Sequence, residues 1–366
     1  MRILFVVEHF YPYIGGAEHL FWVLSRALVE EGHEVRVITT RFRSDLPREE
    51  SIEGVQIRRI DCGNRFLFSL VSLPTLLKEV KHYDLIQTTS YNAALPAFIA
   101  SVIGRKPVVI TFHEVWGRLW FRLPKTRPWL QLAYYLWEQL LLRLPFDRFI
   151  AVSDATESSL QQAGVPDKRT IRIYNGLDYK TLEPFRYRPP QDFVVTYYGR
   201  LGTSKGLDLL LPAMADFLQS HPEAVWKLII PRVPDQLFQW VMSTIHQMPA
   251  ASQVQLLHDL DRDVLLEEVS TSTCVVVPSY SEGFCFVAAE AVAMGVPVIS
   301  SHQTALKEVV GGQMIRMGRM DVHALREALE RAHAGQWESA PVRRFDLKDS
   351  IRQYSVLYDQ LRHSGK

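Results

Sequence analysis

Short apolar runs alternate with longer segments in which apolar residues recur every three or four positions. Ala17–Glu31 has helical periodicity, and Gly32 is suited to end that helix because glycine readily adopts the left-handed conformation. Short apolar runs are typical of buried strands, which are predicted in the first half at Arg2–Val7, Glu34–Thr39, Asp84–Thr88, Pro107–Phe112, Phe149–Val152 and Thr170–Tyr174. This alternation predicts a parallel sheet with helices on both faces.

The pattern is interrupted over residues 179–191, where Pro184, Pro189 and Pro190 predict a linker. It then begins again, with strands predicted at Phe193–Tyr198, Val225–Ile230, Val254–Leu257, Cys274–Val277 and Pro297–Ser300 and helices at Leu207–Leu218 and Asp346–Leu361. The sequence therefore predicts two α/β domains, residues 1–180 and 191–345, and a terminal helix over 346–366. Ligands of such sheets bind beyond the carboxyl ends of the strands, so we expect a cleft between the domains.

Composition and charge argue against several classes of function and indicate the cellular compartment. A formal net charge of +1 over 366 residues argues against a general nucleic-acid binder. Cys62, Cys274 and Cys285 have no C-x-x-C spacing, so neither a disulfide framework nor a zinc site is expected. Glu8 and His9 interrupt the N-terminal apolar run, and no stretch has the roughly 18 apolar residues of a membrane span. We expect a cytoplasmic protein, at most attached to the surface of the membrane.

The most informative segment runs from Pro278 to Ser300. A buried strand ends at Pro278, a polar loop follows, and a helix is predicted from about Phe284 to Met294, with Gly295 at its end. The free N–H groups at the start of that helix suit phosphate oxygens.

Two acids in this segment, Glu282 and Glu290, are eight residues apart and suit hydrogen bonds from sugar hydroxyls. The alternative is that Glu282 is an acid favoured by the helix dipole and Glu290 a solvated helix residue. Against it, small apolar residues surround Glu290, at positions 288, 289, 291, 292 and 293. That environment predicts burial, and a buried acid needs a partner or a function.

Residues 198–206, with the sequence YGRLGTSKG, form the turn between a strand and a helix. Arg200 and Lys205 in this turn suit a diphosphate, whose negative charge grows as it leaves a sugar. The alternative is a solvated basic loop.

Candidates in the first domain are weaker. Gly15 and Gly16 follow the first strand and allow a ligand close to the backbone, although these two residues alone favour a simple turn. The segment is not G-x-G-x-x-G, so a nicotinamide cofactor is not expected. His113 ends a predicted strand and is a candidate for contact with a transferred sugar, the alternative being a structural histidine.

The D-x-D sequence at Asp261–Asp263 resembles the metal-binding motif of many sugar transferases. It precedes a helical run, however, so Asp261 is interpreted as the N-cap and Asp263 as an acid of the first turn. No metal is expected.

Together these segments resemble glycosyltransferase family 4, which has the GT-B fold. The resemblance covers almost the whole chain and rests on YGRL with the following lysine, PSYSEGF, the later glutamate and GVPVIS, and on YIGGAEH, FHE, IAVSDAT, YNGLD and QYSVLYDQL in the same order. It implies two Rossmann-like domains facing across a cleft, with the last helix crossing back to the first domain.

The resemblance also implies a retaining, metal-independent transfer of a sugar from a nucleoside diphosphate sugar to a glycan or lipid-linked acceptor, without a cofactor, in cell-envelope glycan synthesis. Arg200 and Lys205 would hold the diphosphate, Glu282 the donor sugar and Glu290 the ribose. Further donor contacts would come from Gly15, Gly16, Gly283, Phe284, Cys285 and Phe286, and His113 would lie near the reacting carbon. The implied catalytic set is His113, Arg200, Lys205 and Glu282.

The chain departs from the family at two positions. Cys285 stands where the family usually has glycine, and residues 302–305, HQTA, replace a segment that often contains a glycine pair. Both departures lie near the expected donor sugar, so they bear on the identity of the donor more than on the reaction class.

Residues 115–144 contain four tryptophans together with several arginines and a lysine, a composition that favours a lipid interface. We expect this segment either to dock on an anionic membrane or to form a core helix with a lid over the acceptor. Two other functions stay open: another enzyme class of the same fold, such as a non-hydrolysing sugar-nucleotide epimerase, and a non-catalytic sugar-nucleotide-binding protein. A phosphorylase would normally need a cofactor lysine, for which no site is evident.

Overall fold

A computed structural model describes residues 1–13, 15–63, 65–122 and 127–364. Parts of three predicted features, at residues 14, 123–126 and 365–366, lie outside the described residues. The chain forms two compact units, one of Met1–Gly176 with Leu347–Lys366 and one of Leu177–Asp346.

The first unit contains an eight-stranded sheet with the order β3-β4-β2-β1-β5-β6-β7-β8, in which only β3 and β4 pair antiparallel. Its strands are β1 Arg2–Val6, β2 Glu34–Thr40, β3 Glu49–Ile52, β4 Val55–Ile60, β5 Leu85–Thr89, β6 Val108–Phe112, β7 Arg148–Ala151 and β8 Thr170–Arg172. Its first six helices are α1 Gly16–Glu30, α2 Phe68–Val71, α3 Leu73–Glu79, α4 Ala94–Gly104, α5 Pro128–Arg143 and α6 Asp154–Gln162. Apolar side chains of the central strands enter two separate cores, as expected for a sheet covered on both faces.

The second unit contains a seven-stranded sheet with the order β11-β10-β9-β12-β13-β14-β15, antiparallel only between β14 and β15. The strands are β9 Val194–Tyr198, β10 Val225–Ile229, β11 Val254–Leu257, β12 Cys274–Val277, β13 Val298–Ser300, β14 Gly312–Arg316 and β15 Glu338–Ala340. The helices are α7 Tyr179–Leu182, α8 Leu207–Ser220, α9 Asp235–His246, α10 Arg262–Ser270, α11 Phe286–Met294, α12 Leu306–Val309 and α13 Val322–His333.

The last helix, α14 Leu347–Ser364, belongs to the first unit, as predicted. Tyr354 and Tyr358 are buried in the same core as the first strand, and the Tyr358 hydroxyl donates to Gln87 Oε1 at 2.8 Å. Gly176 lies so close to α14 that an added Cβ would be 2.3 Å from Leu347 Cα. The chain therefore returns to its first unit at the end.

The hydrophobic periodicity failed to predict several elements of the fold. The hairpin of β3 and β4 turns through Glu53 and Gly54, both with positive φ, and the strands β14 and β15 were not predicted either. Residues 179–191, interpreted as a linker, contain α7, and the Tyr187 N–H donates to Met294 O at 2.9 Å. Much of this segment is therefore folded onto the second unit. Within the described residues no helix is both long and apolar enough to span a membrane.

Candidate functional site

Strands β9 and β12 are parallel neighbours, so the loops that follow them leave from one edge of the second sheet. The Tyr280 N–H in the second loop donates to Ser204 O in the first at 2.8 Å. Gly206 has φ +69°, and a Cβ on it would be 2.1 Å from Pro278 O. Glycine at this position therefore lets the two loops touch, which brings Lys205 next to Glu282.

Lys205 and Glu282 form an ion pair at the centre of this edge. Lys205 Nζ is 2.9 Å from both carboxylate oxygens of Glu282, and Ser279 Oγ donates to Glu282 Oε1 at 2.6 Å. The Glu282 side chain is 9% exposed and that of Lys205 is 26% exposed. The acid is thus neutralised and held in one orientation, while the ammonium group still reaches solvent.

A third loop, after β13, fixes the backbone of Glu282. The Glu282 N–H donates to Thr304 Oγ1 at 2.8 Å, and that hydroxyl donates to Glu282 O at 2.9 Å. Ser301 Oγ donates to Ser279 O at 2.6 Å. Loops after three adjacent strands therefore orient one carboxylate.

Three residues of these loops adopt the left-handed conformation although none is glycine: Cys285 at φ +71°, His302 at +54° and Thr304 at +44°. They lie in the two segments where the sequence departs from the family's glycines, so the backbone keeps a conformation that glycine favours. Such conformations are strained for residues with a Cβ and often occur at functional sites. Burial, together with the nearby Glu282 carboxylate, raises the pKa of the Cys285 thiol, so Cys285 is a neutral thiol.

This strain leads to a prediction about Cys285. We expect Cys285→Gly to be about 1 kcal/mol more stable than Cys285→Ala, because both lose the thiol but only alanine keeps the left-handed strain. Thermal unfolding of the two variants measures the difference. Equal midpoints would show that this conformation is not strained.

Helix α11 begins at Phe286, two residues later than predicted, and Gly295 ends it with φ +86°. Of the predicted donor residues at its start, Phe284 is buried against Phe345, with ring centroids 5.1 Å apart, whereas Gly283 and Phe286 are half-buried. Helix α11 therefore begins four residues after Glu282.

The second acid, Glu290, is buried, so its interpretation as a solvated helix residue is wrong. The Arg262 guanidinium donates two hydrogen bonds to its carboxylate, with Nη2 2.5 Å from Oε1 and Nη1 3.2 Å from Oε2. The Tyr198 hydroxyl lies 3.3 Å from Oε2. Burial lowers the pKa of Arg262, but the Glu290 carboxylate, with smaller effects of Tyr198 and Asp263, raises it, and the net shift is upward.

Sequence reasoning missed Arg262, because the flanking aspartates drew attention to capping and metal binding. Asp261 does occupy the N-cap position of α10, but its side chain makes no capping hydrogen bond. In the described part of the chain, no three His, Cys, Asp or Glu side chains are grouped so as to hold a metal ion.

The other predicted site residues lie outside these two ion pairs. Arg200 is exposed and forms no ion pair with another described residue. Gly15 is the N-cap of α1 with an extended backbone, which any residue can adopt, and Gly16 is the first residue of that helix. His113 follows β6, half-buried, with its ring edge-on to Phe21 at 5.8 Å.

An unpredicted polar cluster lies at the carboxyl ends of β1 and β5 in the first unit. Buried Glu8 contacts Arg65 Nε at 2.6 Å through Oε1 and accepts from Asn92 Nδ2 at 2.8 Å through Oε2. Burial opposes ionisation, but the His9 hydrogen bond, the Arg65 cation and Asn92 lower the pKa of Glu8 overall. The sequence offered only an acid directly after a buried strand as a signal.

Two family models together match most of the chain. Residues 14–181 match the family model described as Glycosyltransferase Family 4, and residues 180–336 match the model described as Glycosyl transferases group 1.

Two D-inositol 3-phosphate glycosyltransferases are similar to this chain. That of Rhodococcus jostii is 26% identical over 77% of this chain and 68% of that protein, and that of Geodermatophilus obscurus is 27% identical over 88% and 82%. Among solved structures, a sucrose-phosphate synthase from Thermosynechococcus elongatus superposes with a TM-score of 0.78 at 21% identity, covering 99% of both chains. Anabaena HepE in complex with UDP-glucose superposes with a TM-score of 0.73 at 20% identity, covering 98% of this chain and 100% of HepE.

Proposed function

This chain is a glycosyltransferase of the family 4 type with the GT-B fold, and from that premise we propose that its second unit binds a nucleoside diphosphate sugar and that the enzyme transfers the sugar to a glycan or lipid-linked acceptor. The observation that carries the proposal is the Lys205–Glu282 ion pair, whose acid lies in the loop just before the N-terminus of α11. A cation and backbone N–H groups at one strand edge suit a diphosphate.

Each group has a distinct part in the proposed reaction. Lys205, with exposed Arg200 nearby in the chain, stabilises the negative charge that grows on the diphosphate as the bond to the sugar breaks. Glu282 orients the sugar through its hydroxyls, and Glu290 accepts from the ribose. The transfer is retaining and uses neither a metal nor a cofactor, so charge stabilisation and orientation provide the rate enhancement.

The first unit, in this proposal, binds the acceptor. The cluster of Glu8, Arg65 and Asn92 lies at the carboxyl ends of β1 and β5, and parallel sheets bind ligands at that edge. His113 follows β6 at the same edge and contacts the transferred sugar. A charged pair with an amide offers both donors and acceptors to the hydroxyls of a glycan.

Acceptor-dependent release of nucleoside diphosphate tests the proposed function. A thermal-shift screen of UDP-, GDP-, ADP- and TDP-sugars first identifies the donor, because a ligand that binds only the native state raises Tm. Candidate lipid-linked and free glycan acceptors are then added to that donor. A transferase releases the diphosphate only with an acceptor, an epimerase converts the donor alone, and a binding protein does neither.

We also propose that α5 binds the cytoplasmic surface of a membrane that contains anionic lipids. Trp129, Leu132, Leu136 and Leu140 are exposed at helical spacing, so one face of α5 is apolar and open. The one acid of α5, Glu138, is fully buried on the opposite face, where it accepts hydrogen bonds from the Trp116 and Gly117 N–H groups. Exposed arginines lie near the apolar face in the chain, at positions 118, 122, 127 and 143. Apolar residues next to cations suit acidic lipids.

Flotation with liposomes tests the membrane proposal. The wild-type protein should float with vesicles containing phosphatidylglycerol and much less with pure phosphatidylcholine, because the arginines contribute to binding. Leu132→Glu with Leu136→Glu should abolish flotation. The matched control, Val102→Glu with Ile103→Glu, changes two apolar residues on α4 that are at least as exposed, and this variant should float normally. Recovery of all wild-type protein below the vesicles would exclude this role of α5.

A further inference from the structure

The pair of Arg262 and Glu290 has no counterpart among the predicted donor contacts. Its guanidinium lies against a carboxylate that is 8% exposed, while the Arg262 side chain itself is 51% exposed. The arginine is the first residue of α10, and Glu290 lies in the middle of α11. Arg262 therefore links the start of α10 to a buried acid of α11.

We infer that Arg262 is a positioning residue that prepares Glu290 to recognise the 2′- and 3′-hydroxyls of the donor ribose. The inference rests on the proposed function and deepens it, since it assigns this recognition to a pair of side chains rather than to Glu290 alone. The first support for it is the number of hydrogen-bond acceptor positions on the Glu290 carboxylate. A carboxylate has about four, and the guanidinium occupies one on each oxygen, which leaves positions on both for a diol.

Tyr198 cannot replace the arginine in this role. Its single hydroxyl proton has a closer acceptor in Val287 O, at 2.8 Å, than in Glu290 Oε2, at 3.3 Å. Burial first, and then the Glu290 carboxylate, raise the pKa of Tyr198, so this group stays a neutral phenol and brings no charge. Arg262 therefore supplies both the counter-charge and the orientation of Glu290.

Charge balance is the second argument. A buried, unpaired carboxylate would repel the diphosphate of the donor and would be poorly solvated itself. Arg262 cancels that charge, as Lys205 does for Glu282 on the neighbouring loop. Both acids of this edge thus face the ligand as neutral pairs that still accept hydrogen bonds.

The inference is tested by comparing ribose with deoxyribose. Dissociation constants are measured for UDP, GDP and ADP and for their 2′-deoxy counterparts, by calorimetry on the full chain. The nucleotide that binds best to the wild type should lose about tenfold or more in affinity when its 2′-hydroxyl is removed, because a charged acceptor is left without its donor.

In Arg262→Ala this ratio should fall to about threefold or less, because Glu290 is no longer held for the diol. Arg262→Lys, which keeps the charge without the bidentate grip, should give an intermediate ratio. Glu290→Gln should lower the ratio on its own, and adding it to Arg262→Ala should lower it no further. Arg188→Ala, which removes an exposed arginine that pairs with Glu267 on α10, should keep the wild-type ratio.

The ratio of the two dissociation constants separates a positioning role of Arg262 from a merely structural one. If the variant only loosened the fold, the binding of the ribose and the 2′-deoxy nucleotide would weaken equally. A wild-type ratio in Arg262→Ala, or in Arg262→Lys if the alanine variant does not fold, would overturn the inference while leaving the donor site intact. A wild type that binds nucleotides without discriminating against 2′-deoxyribose would overturn it as well. A wild type that binds none of the six would instead contradict the proposed function.

Discussion

Replacing Lys205 by alanine is expected to lower kcat/KM by roughly 10²–10³-fold, the usual loss when one group that stabilises a developing negative charge is removed. Two effects add in this variant. The leaving diphosphate loses one of its two predicted cations, and Glu282, which is 9% exposed, loses its counter-charge beside that diphosphate. The loss should appear mainly in kcat, because the charge on the diphosphate grows only in the transition state.

Lys227→Ala is the matched control. Lys227 also pairs with a glutamate of the second unit, with Nζ 2.6 Å from Glu268 Oε2, and its side chain is even less exposed, at 12%. It lies on β10, outside the loops after β9 and β12, so its removal should leave kcat/KM nearly unchanged even if Tm falls. A Lys205→Ala enzyme within about threefold of the wild type would remove Lys205 from the reaction.

Gly206→Ala is expected to be the most damaging small substitution in the second unit. A Cβ at this position would be 2.1 Å from Pro278 O, and the residue has φ +69°. Overpacking of a tight contact destabilises by about 1–3 kcal/mol and a left-handed backbone adds about 1 kcal/mol, so we expect a loss of about 3 kcal/mol. For a unit of this size that loss corresponds to a drop in Tm of roughly 10 °C.

The loop offers its own control in Gly202→Ala. A Cβ there would meet only Lys205 Cγ, at 3.4 Å, and Gly202 is not among the positive-φ glycines. We expect a change within about 0.5 kcal/mol, measured by thermal unfolding followed with near-UV circular dichroism. Similar midpoints for the two alanine variants would mean that the two loops separate easily, and that their contact does not hold Lys205 against Glu282.

The sheets were largely predictable because buried parallel strands are apolar along their length. Predicted strands such as Cys274–Val277 and Val254–Leu257 coincide with the observed ones, and most others differ by one or two residues at the ends. The hairpin of β3 and β4 was missed because half-exposed strands lack a continuous apolar run. A two-residue turn ending in glycine, Glu53-Gly54, was its local signal.

The candidate site was predictable only in part, because its residues are joined by contacts between distant positions in the chain. Lys205 and Glu282 were each found from a local pattern, a basic turn and a loop before a helix, although their ion pair joins positions 77 residues apart. Arg262 was missed because its local pattern, two acids at the start of a helix, has an ordinary explanation. Its importance comes from Glu290, 28 residues away, and no spacing rule connects the two. Glu8 was likewise noticed only as an interruption of an apolar run.

The return of the chain to its first unit affects how that unit is made. Tyr354, Leu357, Tyr358 and Leu361 fill the core that also contains Ile3 and Phe5 from the opening strand. During synthesis these early strands leave the ribosome long before α14, so the part of this sheet face that α1 does not cover stays exposed while the whole second unit is translated. Such exposed apolar surface favours aggregation and chaperone binding. A truncated chain that stops before residue 347 should therefore accumulate as insoluble protein, even though it contains every strand of both sheets.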